Sequence, residues 1–123
     1  MSAKIIKINR GDSFEFTVNI PDKDNKSYIL QSNDAVYFAL LYPHQHFEDA
    51  LLLKGYTYGG DQNIETGDIL IKITPADTRY LEPGIYYYTV KLQRGGEIYT
   101  VGDNDQPEEV RTIIERTKFI INE

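Results

Sequence analysis

Phe14-Glu15-Phe16-Thr17-Val18-Asn19-Ile20 decides how this chain folds. Phe14, Phe16, Val18 and Ile20 alternate with Glu15, Thr17 and Asn19, so an extended backbone collects the apolar side chains on one face. A helix would set Phe14 and Phe16 about 200° apart and form no single apolar stripe. The segment therefore reads as a strand with one buried face. The same period recurs on either side of it. Lys4 to Ile8 sets Ile6 and Ile8 opposite Lys7, and the turn Arg10-Gly11-Asp12 leads into Phe14. Asp34 to Tyr42 turns Val36, Phe38 and Leu40 inward and Tyr37, Ala39 and Leu41 outward. Pro43, lacking a backbone donor, ends that strand. Ile69, Ile71 and Ile73 alternate with Leu70, Lys72 and Thr74, and Tyr86, Tyr88, Val90 and Leu92 face away from Tyr87, Thr89 and Lys91.

The connections carry turn chemistry. Pro21 to Ser27 is a polar turn, Tyr28 to Leu30 a short edge segment, and Pro43 to Glu48 a loop. Ala50 to Leu53 suits a short strand or one helical turn, and Gly59-Gly60-Asp61 turns the chain again. Thr74-Pro75-Ala76-Asp77 offers a hydroxyl N-cap, Pro at the first helical position and an acid in the first turn, which predicts a brief helix ending near Tyr80. Gly95-Gly96 supplies the positive φ of a tight hairpin into Glu97 to Val101. Arg111 to Ile121 closes the sheet. Pro107-Glu108-Glu109 also suits a helix start burying Val110, Ile113 and Ile114, but a closing hairpin favours a strand. About seven to nine short strands with one helical connection predict an all-β, immunoglobulin-like antiparallel sandwich. It would occupy residues 1–123 as a single domain, held by burial worth about 25 cal/mol per Å² of apolar area.

Composition narrows the function. Of 123 residues, 41% are hydrophobic and 26% charged, as in a folding domain. No apolar run approaches the roughly 20 residues of a membrane span, and no leader pattern opens the chain, so no secretion signal is expected. Cysteine is absent, which excludes disulfides, thiolate metal sites and a cysteine nucleophile. Thirteen basic against nineteen acidic residues give a net charge of −6 with the basic residues scattered, which disfavours nucleic acid and anionic membranes as partners.

Three sets of residues are candidates for chemistry. His44 and His46, near Glu48 and Asp49, alternate as paired imidazole ligands would, but the spacing names no third ligand. Two surface histidines on a polar loop are the simpler reading. Asp22-Lys23-Asp24-Asn25 and Asp103-Asn104-Asp105, with Glu108 and Glu109, are oxygen-rich enough for calcium. They lack the glycine and bidentate glutamate of an EF-hand, and Asp and Asn are ordinary turn residues. Ten tyrosines against no tryptophan make Tyr37, Tyr56, Tyr58 and Tyr87 candidates for an interface or for stacking on sugar, although good β formers also pair across strands. No Gly-x-Ser-x-Gly elbow or phosphate-cradling loop is present, so neither enzyme activity nor a cofactor is expected.

Read in order, Ile6-Lys7-Ile8-Asn9-Arg10-Gly11-Asp12-Ser13-Phe14, Ile69-Leu70-Ile71-Lys72-Ile73-Thr74-Pro75-Ala76-Asp77-Thr78, Leu81-Glu82-Pro83-Gly84-Ile85-Tyr86-Tyr87-Tyr88, Gly96-Glu97-Ile98-Tyr99-Thr100-Val101 and Thr117-Lys118-Phe119-Ile120-Ile121 form a series along nearly the whole chain. The series resembles the immunoglobulin-like domain at the N-terminus of phage baseplate upper proteins and of related phage and prophage tail and fibre proteins. The resemblance implies a structural role in the virion tail or baseplate, after a stay in the host cytoplasm before assembly. It implies contact with other phage structural proteins or with further copies of the chain, and it brings no catalytic residues. The sequence ends at Glu123, and its acidic stretch Gly102 to Glu109 stands where the family would have a tighter link. Edge-strand pairing by Lys4 to Ile8, the outward tyrosines, and Asp103 and Asp105 are the expected means of contact. The rival from another class is a carbohydrate-binding β-sandwich module using exposed tyrosines.

Overall fold

The computed structural model describes residues 4–22, 24–94 and 109–123. These are mostly strand: β1 (Ile6–Asn9), β2 (Phe14–Asn19), β3 (Asp34–Leu41), β4 (Leu52–Thr57), β5 (Asp68–Ile73), β6 (Gly84–Arg94) and β7 (Glu109–Asn122). A 3-10 turn, Phe47–Asp49, precedes β4, and the short helix α1 (Pro75–Thr78) follows β5. The five-stranded sheet has the order β1-β7-β6-β3-β4 and curls as a half-barrel, while β2 and β5 form a separate two-stranded sheet. The chain is all-β, as the alternation predicts.

Period-two patterning decides which side chains meet between the sheets. Val18, Ile69, Ile71 and Ile73 of one, and Val36, Phe38, Leu40, Tyr86, Tyr88, Val90, Leu92, Phe119 and Ile121 of the other, belong to one buried cluster with Ile20, just past β2. Phe16 lies against Phe38 and Tyr88 with ring centroids 6.0 and 5.9 Å away, and Phe119 is 6.2 Å from Tyr88. These are tilted or edge-on arrangements of the kind that adds to plain burial. The tyrosine hydroxyls in this core are satisfied by backbone: Tyr88 donates to the Lys4 carbonyl at 2.6 Å and Tyr86 to the Glu82 carbonyl at 2.5 Å.

Several expectations are corrected. The five-stranded sheet is not wholly antiparallel, because β1 runs parallel to β7, with Ile6 opposite Phe119 and Ile8 opposite Ile121. Parallel neighbours need a long connection, and strands from opposite ends of the chain satisfy that without a crossover helix. Of the two readings of residues 50–53, a short strand or one helical turn, the strand forms, but it begins at Leu52 and runs through Thr57. Leu52, Lys54 and Tyr56 form its inner row, and a lysine in that row hides the period. Its amine reaches Asp77 at 2.7 Å, so the stem packs while the charge stays paired.

Residues 28–30 make no strand; the Leu30 amide donates instead to the Gln62 side chain at 2.8 Å. The segment after residue 109 is strand rather than helix. The hairpin at Gly95-Gly96 with Glu97 to Val101, and the acidic stretch Gly102 to Glu108, lie outside the described residues.

β3 is buried along all eight of its residues. Its outward row, Ala35, Tyr37, Ala39 and Leu41, packs under Phe47 of the 3-10 turn as a second apolar cluster. Tyr37 is opposite Gly55 of β4, where an added Cβ would come within 3.1 Å of the Tyr37 ring. The glycine gives that ring a place to lie across the strand.

Candidate functional site

Among the described residues, the outer face of the five-stranded sheet is covered on one half only. Phe47 closes the β3 half, with the Lys91 amine 4.9 Å from the centre of its ring. On the other half, pairing sets Lys7 beside Ile120 and Ile120 beside Ile85, opposite the core positions Ile6, Phe119 and Tyr86. The next row places Lys118 beside Tyr87 and Tyr87 beside Leu41. Ile85 is 52% exposed, and Ile5, just before β1, is 56% exposed. Lys7 and Lys118 flank these isoleucines. A basic and apolar strip thus crosses β1, β7 and β6 of a chain whose formal charge is −6.

Where the covered and uncovered halves meet, Pro43, His44, Gln45, His46, Tyr87 and Arg116 line an open groove of about 510 Å³. Its wall is a tight turn. The Gln45 amide donates to the Tyr42 carbonyl at 3.1 Å, and His44 has φ +65°. Proline at the second turn position and positive φ at the third define a type II turn, in which glycine or asparagine is the usual third residue. The Gln45 side chain stiffens the turn: its oxygen accepts the Tyr42 amide at 2.8 Å and its nitrogen donates to the Asp49 carbonyl. Arg116 donates through Nη2 to the Gln45 carbonyl, which ties β7 to the turn. Among the described residues Arg116 has no carboxylate partner. The groove gathers hydrogen-bond donors and a ring, which suits holding an anion.

The sequence candidates fall in different places. His44 and His46 share the groove, but the described residues contain no group of three or more His, Asp or Glu side chains able to hold a metal ion. Tyr87 lines the same groove. Tyr37 takes the outward direction predicted for it yet is only 5% exposed, because the 3-10 turn covers it. Tyr56 points inward, packs against the main core and lies opposite Val36, which corrects its assignment to the surface. Burial pushes its hydroxyl pKa up, as do the charges of Asp61 and Asp77, against a lowering hydrogen bond from Lys72. Tyr58, 61% exposed, is on the surface as expected.

Asp22 Oδ1 accepts the Asp24 and Lys26 amides at 2.8 and 2.9 Å, and Asn25 has φ +64°, so this acidic segment folds as a side-chain-braced turn. Asp103 and Asp105 lie outside the described residues. Arg116, Ile85 and Ile120 were not singled out from sequence. Ile120 sits inside the run Phe119-Ile120-Ile121, where alternation alone sends the middle residue outward. No family model, curated protein or solved structure matches the chain.

Proposed function

We propose that this chain is a non-catalytic assembly protein of a phage or prophage tail, built on an immunoglobulin-like sandwich and acting by protein–protein contact. The strand layout supports the finer fold. If β2 to β7 correspond to strands B, C, C′, E, F and G, the sheets become C′-C-F-G and B-E, as in variable-type immunoglobulin domains with β1 added beside G. The bond from Tyr86 to the Glu82 carbonyl, four residues upstream at the start of β6, is a tyrosine corner of the kind such sandwiches carry.

The observation that carries the contact role is the strip of exposed Ile5 and Ile85 and half-buried Ile120 with Lys7 and Lys118, which no described residue covers. Contiguous exposed apolar area rimmed by charge marks an association surface. Its basic rim complements the acidic remainder of the same chain, so the partner proposed is a further copy, in a ring or stack of the tail. The sugar-binding alternative loses half of the Tyr56 and Tyr58 pair on which it rested, since Tyr56 is inward.

Light scattering on a sizing column tests the proposal. Wild-type protein at about 100 µM and low salt should run as an oligomer and dissociate as salt rises. Ile85→Lys should run as a monomer with an unchanged melting temperature. A wild-type monomer throughout, or an oligomer indifferent to Ile85→Lys, would overturn it.

A further inference from the structure

We infer that the groove of Pro43, His44, Gln45, His46, Tyr87 and Arg116 binds an acidic sugar residue, its ring against Tyr87 and its carboxylate on Arg116. This goes beyond the assembly role and uses a different surface feature. A groove of about 510 Å³ is the size of a small-ligand site. Among the described residues the groove is lined by one guanidinium, two imidazoles, an amide, a phenol ring and a proline, with no carboxylate. In a chain with nineteen acids and thirteen basic residues, a concavity whose described lining is built around an arginine favours negative charge. Arg116 is already positioned, since Nη2 is held by the Gln45 carbonyl, and its other donors remain for a planar carboxylate. The histidine turn is held in a backbone region that non-glycine residues seldom occupy, with φ +65° at His44. Strain of that kind persists where the surroundings fix it, and here Gln45 and Arg116 do so.

The neighbouring backbone argues for a sugar over an acidic peptide. Tyr87 belongs to β6, paired there with Leu41 of β3 and Lys118 of β7, while Arg116 precedes the Phe119–Asn122 stretch of β7 that β1 pairs. The strand that carries the ring thus offers no unpaired edge, among the described residues, for an extended peptide to join. What remains is side-chain chemistry: a ring face for the apolar side of a pyranose and a cation for its acid.

Titration calorimetry with trigalacturonate tests this, with maltotriose and triglutamate as the neutral and peptide arms. Ile85→Lys protein is titrated alongside wild type, so that self-association and sugar binding are read separately. Saturable binding of trigalacturonate is expected with a dissociation constant of about 0.1–1 mM. Arg116→Gln, at an exposed site, should weaken it at least about tenfold, and Tyr87→Leu should do the same, while Tyr58→Ala leaves it unchanged. Lack of saturation, equal binding of maltotriose or triglutamate, or undiminished affinity in Arg116→Gln would each overturn the proposal.

Discussion

At the scale of single residues, the side chains that hold the loops together are polar and local pattern does not announce them. Gln62 is 8% exposed and makes three bonds across two loops. Its oxygen accepts the Leu30 amide at 2.8 Å, and its nitrogen donates to the Tyr28 and Gly67 carbonyls, both at 2.9 Å. Gln62→Leu leaves those backbone groups without their partner and should cost about 2–3 kcal/mol in urea unfolding. Gly67 beside it has φ +80°, and an added Cβ would stand 2.4 Å from that of Ser27. Gly67→Ala should therefore cost at least about 2 kcal/mol by the same measurement. Nothing in the spacing around Gln62 distinguishes it from a surface glutamine; only the meeting of residues 28–30 with residues 62–67 makes it structural.

Asp77, by contrast, was legible as a first-turn acid. Its Oδ2 accepts the Thr74 amide at 2.7 Å and pairs with Lys54. Burial pushes its carboxyl up, but hydrogen bonds from Lys54 and Thr74 and the lysine's charge outweigh it and hold the pKa below the ordinary value. The folded state thus keeps this acid ionised to lower pH than the unfolded chain does. Its contribution is complete above the ordinary carboxylate pKa and fades as pH falls through the folded value. In urea unfolding followed across acidic pH, Asp77→Asn should be less stable near neutrality and show a shallower acid decline than wild type.

At the scale of elements, legibility followed how faithfully a strand keeps one face apolar. β2, β5 and β6 do so, with Phe16, Ile71 and Tyr88 among the residues that mark their inner rows, and they form where alternation puts them. β4 does not, because Lys54 and Tyr56 share its inner row with Leu52 and look like surface residues. β3 is buried on both faces, so alternation correctly gave direction but not exposure, and Tyr37 looked like a contact residue. The cover over it, the turn Phe47–Asp49, comes from a stretch too short to show a period. The corner at the start of β6 makes a further prediction. Burial raises the Tyr86 pKa, helped by Tyr42 and Glu82, and burial likewise raises that of Tyr88. Their contribution is complete below the ordinary tyrosine pKa of about 10 and is lost as pH rises through the folded values. Tyr86→Phe should cost about 1 kcal/mol at neutral pH and flatten the alkaline arm of the stability profile, read by circular dichroism in urea.

At the scale of the whole molecule, the described residues leave half of one outer sheet face bare, and that half is where isoleucine and lysine alternate. Which half is covered depends on how residues 42–50 return over β3, a tertiary event with no counterpart in the strand patterns themselves. The resemblance in sequence order implies contact as the mode of action; of the tyrosines expected outward, Tyr56 is inward and Tyr37 is covered, so the proposed contact passes to Ile5, Ile85 and Ile120. Dilution of methyl-labelled protein, followed by NMR, puts the contact claim to its most direct test. Association through this strip predicts concentration-dependent shifts of the Ile5, Ile85 and Ile120 methyls, with the core methyls of Ile69, Ile71 and Ile73 unmoved. Methyl positions that stay constant up to about 100 µM, or shifts centred on Leu52 and Leu53 of β4 instead, would contradict it.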